Sequence, residues 1–234
     1  MLPIGRRNLL FSVPRVVHYL IALNVTIFLA ALIAGKMAVV QRFGLVPASI
    51  HTSTLFSHMF VHAGVLHVLG NMFFLWMFGD NVEDVLGHVT FAISYLVCGL
   101  GAAFSQYLSN PHSVVPMVGA SGAISGVMAL YAVFLPTAEF DLDFYVGWWR
   151  VASKPAKSKT AVAVWFIEQL LLATIMSTTH SSAVGIAFWA HVGGFITGLL
   201  IGAALFILGW ADKYQARVAA HSGKSQKAPG IAAS

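Results

Sequence analysis

Four polar side chains stand inside stretches that are otherwise apolar, and their types suit acyl-transfer chemistry. Ser121 lies in Gly119-Ala120-Ser121-Gly122, His191 in Ala190-His191-Val192-Gly193-Gly194, and His67 and Asn71 sit four residues apart in a third stretch. A serine hydroxyl is a poor nucleophile until a neighbouring base takes its proton, and histidine is the usual base. His67 and Asn71, at i and i+4, share one helix face and offer N–H donors for a developing oxyanion. The backbone N–H of Ser121, near a helix N-terminus, is a further donor. The set describes acyl transfer, most simply hydrolysis.

Such groups must be held by something, and the composition says by what. Of 234 residues, 58% are hydrophobic and 9% charged, whereas soluble domains carry roughly a quarter charged residues. Thirteen basic and eight acidic side chains cannot cover a 25.1 kDa globule with mean hydropathy +0.81. The lipid bilayer is the solvent for most of the chain. Spans are expected near 17–34, 60–79, 88–107, 117–135, 160–176 and 187–209, each near the ~20 residues a helix needs to cross. No segment shows the alternation of a membrane barrel. The expected fold is all-α: a polytopic membrane helix bundle of six transmembrane helices. It divides into an N-terminal tail 1–16, a membrane domain 17–210 and a disordered tail 211–234.

Basic residues set the orientation. With the N-terminus inside, the inner segments hold Arg6, Arg7, Arg15, Arg150, Lys154, Lys157, Lys159, Lys213, Arg217, Lys224 and Lys227, and the outer ones only Lys36 and Arg42. Both termini are then cytoplasmic, and the excess of positive charge reports topology rather than nucleic acid. No cleavable signal peptide is expected, because Val17–Ala34 is too long for one and reads as a span. Spans two, four and six all run from outside to inside. Counting from Pro116, Ser121 lies roughly 7.5 Å along its helix, and His191 and His67 fall at a similar depth. Gly122 and Gly126, and the ladder Gly194, Gly198 and Gly202, are small-residue faces that let helices approach closely in lipid. Packing spans four and six along them brings Ser121 within reach of His191.

Other polar residues have plainer readings. Ser94 and Ser125 are expected to bond back to their own helix. His58 and His62, at i and i+4, raise a metal site with His67, but no carboxylate accompanies them in the nearby spans, so no metal or cofactor is expected. The single Cys98 gives no disulfide or thiolate site. Glu168 either lines a hydrated gap or pairs with a polar neighbour. Asp80, Glu83 and Asp84 read as a solvated loop with some capping role.

From about Arg42 to Gly202 the chain resembles the rhomboid family of intramembrane serine proteases, and looks like its bacterial branch. The family's Gly-x-Ser-Gly motif falls on Gly119–Gly122, and its Ala-His-x-x-Gly-x-x-x-Gly motif on Ala190, His191, Gly194 and Gly198. Its His-x-x-x-Asn pair falls on His67 and Asn71, preceded by His58 and His62. The run Phe78–Asp84 and the pair Trp165 and Gln169 also match. The resemblance implies a Ser121–His191 dyad without a third carboxylate, oxyanion stabilisation at His67, Asn71 and Ser121, and an endopeptidase that cleaves transmembrane protein substrates in or near their spans. It implies a half-embedded loop over 35–57 and lateral substrate access near span five. It implies a multi-pass protein, expected in a bacterial inner membrane. Many members carry a tyrosine four residues after the serine, beneath the histidine ring; Ser125 stands there instead. A non-catalytic relative that only binds transmembrane helices would usually have lost the serine or the histidine. A histidine-rich iron oxidoreductase would need its histidines on inner loops, whereas His58, His62, His67 and His191 map to the outer side.

Overall fold

The computed structural model describes residues 2–5, 12–146, 149–178 and 187–225. Strand β1 (Leu2–Gly5) comes first, followed by helix α1 (Arg15–Ala34) and the short α2 (Lys36–Phe43) and α3 (Thr54–Ser57). The long helices α4 (Val65–Leu86) and α5 (His88–Ser109) adjoin, and α6 (Ser121–Phe134) follows. Strands β2 (Glu139–Val146) and β3 (Trp149–Lys157) separate α6 from α7 (Ser158–Thr178), α8 (Phe188–Ile207) and α9 (Trp210–Ser225).

The protein is a polytopic helical bundle. Among the described residues, helices α1, α5, α7 and α8 are each long and apolar enough to cross a membrane, and the count rises to five where α4 and the segment Thr54–Phe60, bent by 94° to it, form one span. Helix α6 has 14 residues, fewer than the ~20 a full crossing needs, because the chain before Ser121 is not helical. It is also the helix around which the others gather. Residues Gly122–Tyr131 are buried throughout, whereas Leu23, Leu29 and Ile33 of α1 and Leu199 and Leu200 of α8 are exposed, as lipid-facing side chains are. Burial of α6 is therefore by protein, and its glycines and alanines are small because neighbours lie close on every side.

Several expectations change. The second span begins at Val65 rather than near 60 and runs on to Leu86. Its last turns carry Asp80, Glu83 and Asp84, which are buried and are not a solvated loop. The Glu83 carboxylate accepts the backbone N–H of Val16 (2.9 Å) and Val17 (2.8 Å), two of the amides a helix start leaves unpaired. Asp84 Oδ1 accepts from Ser12 N (2.9 Å) and Ser12 Oγ (2.7 Å), and Arg217 donates to the Asp84 carbonyl at 2.8 Å. These acids tie the start of α1 and the helix after α8 to the end of α4. Gly87, at φ +78, makes the immediate turn into α5, a backbone conformation that costs a side chain-bearing residue energy.

The expected tails also differ in form. Residues 2–5 pair with β2 and β2 pairs with β3 in an antiparallel sheet, an addition to the helical bundle that the all-α reading lacked. Trp210–Ser225 is helical, where disorder was expected from 211. Its Tyr214 is buried, and Lys213 lies over the Trp210 ring at 4.5 Å.

Candidate active site

The segment before α6 is pinned at three points. Met117 N–H donates to Leu45 O at 2.8 Å, Leu45 N–H returns to Met117 O at 2.9 Å, and Gly119 N–H donates to His58 O at 2.9 Å. This is what the loop 35–57 and the histidine-bearing turn do: they hold the approach to Ser121. Gly119 has φ +118, and a Cβ there would stand 2.6 Å from His67 Nε2 and 3.4 Å from Asn71 Nδ2. Both the conformation and the space demand glycine. They also show that His67 and Asn71 press on the backbone two residues ahead of Ser121.

Ser121 is the first residue of α6, not five residues inside a span, so its amide is among those with no partner within the helix. Asn71 Nδ2 is buried and has no hydrogen-bond partner among the described residues. Two donors thus stand near the serine with their bonding capacity unspent. Ser125 donates to Ser121 O at 2.7 Å, the back-bonded role expected of it.

Helix α8 carries His191. Ala190, Gly194 and Gly198 face α6 so tightly that a Cβ on Gly194 would overlap the carbonyl of Gly122, and one on Gly198 the backbone of Gly126. This contact delivers His191 Nε2 to 2.8 Å from Ser121 Oγ. On its other side, His191 Nδ1 lies 2.7 Å from Gln169 Oε1 on α7. An amide oxygen only accepts, so this pairing is satisfied by the tautomer with its proton on Nδ1, the form that leaves Nε2 to accept from the serine hydroxyl. Trp165 lies over the ring at 6.1 Å between centroids, and Phe188 meets it edge-on at 6.2 Å.

Gln169 is the neighbour of His191 that the sequence does not single out: it matches a family pattern beside Trp165 with no chemistry attached. A signal was present: an amide inside an apolar helix, four residues after an aromatic and on its face, must find a partner in the bundle. Glu168, its neighbour, is on the exposed side of α7.

His58 and His62 are buried, and the His62 ring meets His67 edge-on at 5.1 Å. They do not share a helix face, because the helical turn His58–Phe60 ends before Val61 and the chain bends by 94° into α4. Among the described residues no group of three His, Cys, Asp or Glu side chains is arranged to hold a metal ion.

A polytopic helical bundle with a serine at one helix start, hydrogen-bonded to a histidine one turn into another, defines a class of membrane protein. The Rhomboid domain matches residues 50–208, and the chain belongs to that family. It is 31% identical over 159 residues to RHOMBOID-like protein 2 of Arabidopsis thaliana, covering 67% of this chain and 44% of that one. It is 28% identical over 192 residues to the human presenilin-associated rhomboid-like protein, mitochondrial, covering 79% of this chain and 47% of that one. Over a shorter stretch of 71 residues, 30% of this chain and 25% of the relative, it is 42% identical to Rhomboid-like protein 11, chloroplastic, of Arabidopsis. The chain thus spans about half the length, or less, of these relatives. All three are eukaryotic, so they lend no support to the expected bacterial branch or bacterial inner membrane.

Proposed function

We propose that the chain is an intramembrane serine endopeptidase that cleaves peptide bonds in or near the transmembrane segments of other proteins. The observation that carries this reading is the 2.8 Å contact between Ser121 Oγ and His191 Nε2, made by two helices whose backbones touch. Ser121 Oγ attacks the scissile carbonyl carbon while its proton passes to His191 Nε2. The carbonyl oxygen becomes an oxyanion and takes hydrogen bonds from Asn71 Nδ2, His67 and the Ser121 amide. His191 then gives its proton to the departing amine, leaving an acyl-enzyme. Water, deprotonated by the same nitrogen, attacks the ester and frees Ser121.

The substrate is a transmembrane helix that has partly unwound, because a regular helix shields its peptide bonds with its own hydrogen bonds. Segments with glycine or proline unwind at least cost. Access is lateral, past α7, whose outer face of Val164, Ile167, Leu171 and Ile175 is exposed. The distribution of basic residues puts both termini on the inner side of the membrane.

The test is labelling of the detergent-solubilised chain by a fluorophosphonate probe. Wild type and Ser125→Ala should label and Ser121→Ala should not. An unlabelled wild type would point to a relative that binds transmembrane helices without cutting them.

A further inference from the structure

Resting on that reading, we propose that Gln169 is a positioning residue for the reaction, which sets the tautomer of His191 and makes it depend on the docked position of α7. The hydrogen bond from His191 Nδ1 to Gln169 Oε1 is 2.7 Å long, and Gln169 is buried at 8% exposure. A neutral imidazole has one proton and two nitrogens to hold it. Only the form protonated on Nδ1 leaves Nε2 free to take the proton of Ser121, and the other form has no base facing the serine. An acceptor fixed at Nδ1 selects the working form, the service a carboxylate performs in serine–histidine–aspartate enzymes. Here the acceptor is an uncharged amide, which suits a site walled by Trp165, Phe188 and Phe195, where an unpaired carboxylate would be costly to bury.

The position left by Ser125 fits this assignment. Ser125 turns its hydroxyl back to Ser121 O, and the hydrogen bond at Nδ1 of the imidazole comes from α7. Gln169, Trp165, Val162 and Ala173 recur at helical spacing along the one side of α7 that faces the bundle, with Val162 and Ala173 each 1% exposed. A displacement of α7 therefore withdraws the acceptor from Nδ1. The base is competent when α7 is seated and loses its tautomer preference when α7 swings out.

The experiment measures the tautomer directly, in full-length chain carrying Ser121→Ala and histidine labelled with nitrogen-15 in the ring. With Gln169 intact, His191 should hold its proton on Nδ1; with Gln169→Met added, the proton should redistribute between both nitrogens. The same tautomer in both chains overturns the proposal, whatever the kinetics. In the active chain, Gln169→Met should lower kcat by about tenfold, the worth of one neutral hydrogen bond, with KM unchanged. Gln169→Glu, which can still accept, should recover most of that loss. An unchanged kcat in Gln169→Met also overturns it. Fluorophosphonate labelling of the wild type tests the protease reading separately, since the tautomer is measured in a chain that cannot react.

Discussion

Two of the seams that hold helix α8, those with α6 and α7, are of opposite character. Against α6 it presents Gly194 and Gly198, and the backbones meet with no side chain between them. Against α7 it presents rings: Phe195 stacks on Phe166 at 4.2 Å and tilts against Trp165 at 6.4 Å. A backbone-to-backbone seam cannot give without breaking, because there are no rotamers to adjust. A seam of side chains can slide or part at the cost of a few contacts. The proposed reaction uses both: Ser121 and His191 keep their hydrogen-bond distance through turnover while a helix-sized substrate gets in. The 2.8 Å contact between Ser121 and His191 spans the stiff seam, and the compliant seam lies on the α7 side.

The stiff seam should fail outright when filled. Gly194→Leu puts a side chain where the Gly122 carbonyl already stands. Overpacking a core costs about 1–3 kcal/mol where side chains can move aside, and here the obstacle is backbone. Proteolytic activity should vanish and the apparent Tm fall sharply in the same detergent. Ala173→Leu, an insertion only one carbon smaller on the buried side of α7, should leave a folded, partly active enzyme. Equal damage from both would erase the distinction between the seams.

The next largest effect belongs to the donors on α4, which no seam of α8 touches. Removing one oxyanion donor typically slows turnover by about 10²–10³-fold. Asn71→Ala should approach that range, and His67→Ala should fall somewhat short because its neighbours share the charge. Both should still label with a fluorophosphonate, more slowly, unlike Ser121→Ala. An Asn71→Ala enzyme with unaltered kcat on several substrates would remove that amide from the site.

How much of this was legible in the sequence follows from which interactions are local. The pairing of His67 with Asn71 and the small-residue ladders are properties of single helices, and they survive translation into structure. So does the meeting of Ser121 with His191, because glycine spacing on two helices leaves one close way to pack. The start of α6 was misplaced because residues 116–120 are apolar enough to pass for helix. Their non-helical path is held by Leu45 and His58, distant in sequence. Glu83 and Asp84 look solvent-facing in the sequence because their partners are the amides of Ser12, Val16 and Val17, which no pattern near residue 83 reveals. The strand Glu139–Val146 did carry a signal, with Phe140, Leu142 and Phe144 alternating with acids, but a loop reading based on basic residues passed over it. Gln169 shows the limit most plainly: its burial could be inferred from its helix, its partner could not.

The smallest expected effect is the one that separates access from chemistry. Trp165 is a natural choice for loosening α7, yet it lies over the His191 ring, so its removal would disturb the base as well as the seam. Phe166 is the cleaner probe, since its stack is with Phe195, beyond the histidine. An aromatic pair contributes about 0.5–1.5 kcal/mol beyond its area, which corresponds to roughly a two- to tenfold change in how often α7 parts from α8. Phe166→Ala should raise cleavage of a transmembrane substrate relative to that of a soluble peptide by that factor. The soluble peptide gains nothing from a wider lateral opening and loses a little when Gln169 leaves His191. A chemical cross-link between cysteines placed on α4 and α7 should lower the same ratio, since it denies the helix its path while leaving the site open to solvent. A ratio that moves with neither change would mean that substrates reach Ser121 by a route that does not part α7 from its neighbours.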